Sequence, residues 1–141
     1  MAETETDAAR VRALKAVPLF AGLPEDSLRS ILDHATEFEV PAGQVLVEAN
    51  HPGAGLFVIE EGTVSVGAGP KKIELGPGEF FGELALLTTE ATHATRVAAH
   101  TPVKALAIAR ADFQTLLTSE PKIALAMLSV VAERLHSAMH Q

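Results

Sequence analysis

A chain of 141 residues with 48% of them in the hydrophobic set can fill one buried core but not two. Its 18 acidic residues outnumber the 11 basic ones for a net charge of −7, and the basic residues are scattered, which argues against a nucleic-acid surface, where Lys and Arg gather to meet phosphates. The lack of cysteine excludes disulfides, thiolate metal sites and a cysteine nucleophile, and no stretch reaches the roughly 18–20 apolar residues of a membrane span or looks like a signal peptide. The expectation is one cytoplasmic domain over residues 1–141, without membrane contact.

Residues 1–6 are polar and read as a disordered end. The composition predicts a helix from Ala8 to Leu14, with Arg10, Arg12 and Lys15 solvating it and Val17, Leu19 and Phe20 anchoring the turn that follows. Pro24 suits the first turn of a second helix in "PEDSLRSILDHA", where Glu25 and Asp26 complement the positive helix end and Leu28, Ile31 and Leu32 give an apolar face.

From Glu37 to Glu83 the period shortens. Phe38 with Val40, Val45 with Val47, Phe57 with Ile59, Val64 with Val66 and Ile73 with Leu75 alternate as strands between Gly- and Pro-rich turns. Gly62 is expected to supply a backbone conformation that other residues resist. A short helical segment is expected from Glu83 to Leu87. Alternation then resumes, with Thr95, Val97 and Ala99 on one face and Arg96 and Ala98 on the other, and "PVKALAIA" is a further strand. Two helices, "RADFQTLLTSEP" and a last one starting at Pro121, complete a pattern of about eight strands flanked by helices, the signature of a β-roll or jelly roll.

Phe81-Gly82-Glu83-Leu84-Ala85-Leu86-Leu87, together with Leu19-Phe20, the Pro-Ala-Gly turn before Val45, Phe57 to Gly62, Gly76 to Glu79 and Ala109 to Phe113, resembles the cyclic nucleotide-binding domain family. That family serves bacterial catabolite regulators, kinase regulatory subunits and cyclic-nucleotide-gated channels. The resemblance implies a mainly β fold with N-terminal helices, a short cassette helix whose backbone amides hold a cyclic phosphate, and C-terminal helices. It assigns ligand binding to Gly82, Glu83, Leu84, Ala85, His93, Ala94 and Thr95, with Glu83 at the position that binds the ribose hydroxyl. His93 stands where the family has the arginine that neutralises the phosphate. Histidine has an ordinary pKa near 6.5 and lacks the fixed fork of arginine, so the ligand expected is at most a weakly held cAMP, cGMP or other small anion. Arg96 is the substitute cation if a bulge turns it inward; simple alternation sends it the other way.

Structural roles compete at each of these positions. Glu83 suits a helix cap, Gly82 a tight backbone, His93 an exposed loop, and Phe80 and Phe81 the packing of the roll. The six histidines lack the compact spacing of a metal site, and no serine sits in a nucleophile elbow, so neither a metal, a cofactor nor catalysis is expected. The last helix carries Ile123, Leu125, Met127, Leu128, Val130, Val131, Leu135 and Met139 on more than one side, which points to core packing, to a homodimer or to an unidentified protein partner. No DNA-binding, channel or kinase segment follows it in this sequence. The function expected is a stand-alone regulatory or adaptor module with a degenerate pocket; the alternative is a cAMP or cGMP sensor using His93 or Arg96.

Overall fold

The computed structural model describes residues 5–47, 55–67, 72–82 and 96–139. Its strands in chain order are β1 (Ala35–Val40), β2 (Val45–Val47), β3 (Gly55–Glu61), β4 (Val64–Val66), β5 (Ile73–Leu75), β6 (Phe80–Phe81), β7 (Val97–Ala99) and β8 (Val103–Ala109). They form two antiparallel sheets, ordered β1-β8-β3-β6 and β2-β7-β4-β5. Among the described residues four helices flank them: α1 (Glu5–Lys15), α2 (Glu25–His34), α3 (Arg110–Ser119) and α4 (Pro121–Met139).

Each strand expected from the alternation is present, and β8 shows why the first sheet needs cover on both sides. Val103 and Ala105 point between the sheets, whereas Leu106 and Ile108 point at the helices. Residues Phe38 and Ala105 are paired, as are Phe57 and Ala107. The small side chains of β8 thus leave a trough in which Phe38 and Phe57 meet edge to face at 6.0 Å, and Phe57 stacks on Phe81 at 5.0 Å. Gly62, at the β3–β4 turn, has φ of +88°, and a Cβ there would lie 2.1 Å from the Pro102 carbonyl oxygen, so only glycine fits.

On the other face of the first sheet, Leu14, Phe20, Leu28, Ile31, Phe113 and Ile123 cover Leu56, Val58, Leu106 and Ile108. α3 and α4 are bent by 109° at Glu120 and Pro121. Ser27 Oγ donates to Glu120 Oε1, and Lys122 Nζ donates to the Gly22 carbonyl at 3.4 Å, which ties this corner to α2 and the turn before it. Among the described residues no single helix is long and apolar enough to cross a membrane.

Two differences from the sequence reading matter. α1 starts at Glu5, so residues 5 and 6 join the helix instead of a disordered end; no glycine or proline precedes Ala8 to stop it. Phe80 and Phe81 form a strand too short to register as alternation. Its two rings part, Phe80 into the helix layer and Phe81 into the roll. The short helix expected at Glu83 to Leu87 lies outside the described residues.

Candidate functional site

The chain leaves the first sheet at Gly82. Its φ is +96°, and a Cβ would fall 2.6 Å from the Gly55 carbonyl oxygen on β3, so both the conformation and the close approach demand glycine. Gly82 itself therefore lies flush against the β3 backbone. Behind it, Phe81, Phe57, Val47, Val64 and Val97 make an apolar wall. This wall carries no side-chain hydrogen-bond donor. Glu83, Leu84, Ala85, His93, Ala94 and Thr95 all lie outside the described residues.

Arg96 is described. Val97 and Ala99 are buried in the roll and Ala98 is half-buried on the opposite face. The β4–β7 pairing runs without a shift, Val64 with Ala99, Ser65 with Ala98 and Val66 with Val97. Among the described residues, β7 shifts register only in its pairing with β2, between Val45 and Val47. Arg96, exposed, lines a shallow groove of about 420 Å³ with Ser65, Gly67, Lys72, Ala98 and His100 on the outer side of the second sheet. Its carbonyl accepts from the Gly67 amide at 2.8 Å, and His100 Nε2 lies 3.3 Å from Glu74 Oε1. Among the described residues no three His, Asp or Glu side chains cluster as a metal site.

One contact escaped sequence reasoning. Arg134 on α4 donates from Nη2 to the Phe80 carbonyl at 2.7 Å, and its guanidinium stands 4.6 Å over the Phe80 ring. The signal was available, because Ile123, Met127, Val130, Val131 and Arg134 recur three or four residues apart and Arg134 ends the seam that faces the sheet. The strand that feeds Gly82 is thereby fastened to the last helix.

Comparison with known proteins agrees with this geometry. A cyclic nucleotide-gated potassium channel of Mesorhizobium japonicum is 44% identical over 84% of this chain, which spans 33% of that channel. The catabolite activator protein of Thermus thermophilus superimposes with a TM-score of 0.72 at 28% identity, covering 86% of this chain and 59% of that one. The sensor domain of the transcriptional regulator DNR from Pseudomonas aeruginosa shares the fold, with a TM-score of 0.80 at 17% identity over 98% of this chain and 96% of that one. Residues 37–120 match the cyclic nucleotide-binding domain directly, from the middle of β1 through the corner between α3 and α4. The trough of Phe rings, the glycine that releases the cassette and the helix fastened behind it are thus the frame of a regulatory domain, and this chain belongs to the cyclic nucleotide-binding domain family.

Proposed function

We propose that the chain is a non-enzymatic regulatory or adaptor module of the cytoplasm whose cyclic-nucleotide pocket is modified and weak, and whose output passes through protein association. The observation that supports this reading is the position of Arg96, taken with the histidine that the family resemblance puts at the arginine position. His93 occupies the arginine position of the family, and Arg96, the nearest guanidinium in sequence, borders the groove on the outer side of the second sheet. Loss of a partly buried charge-assisted pair costs about 2–5 kcal/mol, and each 1.4 kcal/mol is about tenfold in affinity. The backbone amides that the family resemblance assigns to the cassette would still attract a cyclic phosphate or another small anion, so binding is weakened and not abolished.

Association is supported by α4. Ile123 and Met127 are buried, while Leu125, Leu128, Leu135 and Met139 on another face are 60–71% exposed. With Ala132 they recur at three- and four-residue spacing, the seam of a two-helix coiled coil, and a second copy of the same helix is the occupant this symmetry suits. A cytoplasmic module with such a seam would report pocket occupancy through the geometry of its dimer.

Titration calorimetry with cAMP and cGMP tests the pocket. The expected wild-type dissociation constant is weaker than about 10 μM at pH 8, with His93→Arg tightening it at least about tenfold. Binding tighter than that at pH 8, with no dependence on residue 93, overturns the weak-pocket reading in favour of an intact sensor. For association, sedimentation should give a dimer at high micromolar concentration that Leu128→Glu converts to monomer; a wild-type monomer throughout that range refutes the seam.

A further inference from the structure

Beneath α1, at the edge of the helix layer, four charged side chains from four elements meet. Lys104 shares a face of β8 with the buried Leu106 and Ile108, and Glu37 is paired with Leu106 from β1. Glu60 sits in the β3 bulge between Ile59 and Glu61, beside the Glu61–Lys104 pair. Arg10 reaches down from α1, its Nε 3.9 Å from Glu37 Oε2, and Lys104 Nζ is 3.8 Å from Glu37 Oε1. Both cations are thus directed at Glu37.

Glu60 is differently placed. Its carboxyl and that of Glu37 flank β8 from opposite sides, Glu37 opposite Leu106 on β1 and Glu60 between Ile59, opposite Ala105, and Glu61, opposite Lys104, on β3. Its Oε1 is buried with no hydrogen-bond partner among the described residues, and Arg10 Nε is buried in the same way. Ionised carboxylates only accept hydrogen bonds, so a buried Glu60 oxygen beside Glu37 is satisfied when one of the two carboxyls carries a proton. Beside this pair a cavity of about 240 Å³, lined by Glu60, Ala13, Leu14, Val17, Pro77 and Gly78, separates the end of α1 from the β5–β6 turn.

We propose that Glu37 and Glu60 form a proton-operated latch in which the shared proton bridges β1 to β3 across β8 under α1, and its loss loosens the docking of α1. Burial first, then the neighbouring Glu37 carboxyl and repulsion by its charge, push the Glu60 carboxyl up from 4.5 to about 7, against the weaker pull of Lys104 and Arg10. Those three are the charged groups that face it. The β5–β6 turn adds none at the cavity, since Pro77 and Gly78 are uncharged and Glu79 Oε2 accepts from the Gly76 amide at 2.7 Å. Deprotonation leaves two carboxylates in contact, one with a buried oxygen that lacks a donor. Water relieves both, and the cavity under Ala13 to Val17 is its way in.

The sign follows from linkage. Undocking returns Glu60 to water and to its ordinary value of 4.5, so the proton favours the docked state. That contribution is complete below about pH 4.5 and is lost as pH rises through about 7. The latch operates whether or not the pocket holds a ligand.

Amide hydrogen exchange of the full chain at about pH 6 and about pH 8, corrected for intrinsic rates, tests it. Wild-type exchange across Val11 to Lys15 should be about three- to tenfold faster at the higher pH, the upper figure holding where solvent screening is small. Glu60→Gln should remove the difference. Equal protection at both pH values in the wild type, or a difference that survives in Glu60→Gln, overturns the latch. Carboxyl carbon-13 titration of the wild type guards against misfolding of the variant: a Glu60 midpoint between about pH 6 and 8 supports it, and one below about pH 5 refutes it.

Discussion

The two faces of the first sheet are packed with different materials. On the helix side the largest fully buried side chains gather: Phe20, Phe113, Leu14, Leu28, Ile31, Leu56, Leu106, Ile108 and Ile123. Between the sheets the layer is mostly Val and Ala, with Ile59, Leu75 and Phe81 as its bulkier members. The helix layer has the volume and the dispersion contacts that hold the domain folded. The roll layer is lined by small residues beneath a row of Phe rings. Bulky and small side chains are thus sorted onto opposite faces of the same sheet, and an alternating strand such as β3 contributes to both layers.

Matched truncations sharpen that division. Phe113→Ala removes a ring that is 1% exposed beneath α3 and should cost about 3–5 kcal/mol in chemical denaturation, because the packed helices cannot collapse onto the gap. Val64→Ala, at a site just as buried in the roll, should cost about 2 kcal/mol, the loss of two methyl groups with a small cavity. The comparison breaks if the roll truncation costs as much as the helix-layer one, since the stability would then be shared evenly across the sheet.

The helix layer and the roll were legible in the sequence for one reason: both are written in periodicity. Leu28 and Ile31 announce the buried face of α2, and Val97 with Ala99 against Arg96 with Ala98 announce which way β7 turns. The corner at Pro121 and the glycine at Gly62 were equally plain, because a ring without an amide hydrogen and a residue without a Cβ act locally. What sequence could not place depends on long-range pairing. Glu37, Glu60 and Lys104 are separated by up to 67 positions and meet only because β8 lies between β1 and β3. Arg10 read as a solvating charge and instead sits over Glu37. Within the cassette, Gly82 was identified from its motif, and its reason emerged only with the Gly55 carbonyl 2.6 Å from where a Cβ would stand.

Arg134 joins the two faces and offers the smaller test. Phe80 belongs to the helix layer and its neighbour Phe81 to the roll, so the guanidinium that holds the Phe80 carbonyl holds the strand on which the faces divide. Arg134→Met keeps the apolar stem and removes the fork, losing one charge-assisted hydrogen bond and the contact with the ring. A half-buried site of this kind should give up about 1 kcal/mol of stability, far less than Phe113→Ala. The more telling readout is local. If α4 fastens the strand before Gly82, amide exchange at Phe81 and Gly82 should rise in Arg134→Met by more than the global loss accounts for, and Arg134→Lys should restore part of the protection, since an ammonium can still reach the carbonyl and the ring. Uniform acceleration across both sheets would mean that the contact merely adds stability, and that the last helix senses the cassette strand no more than any other part of the sheet.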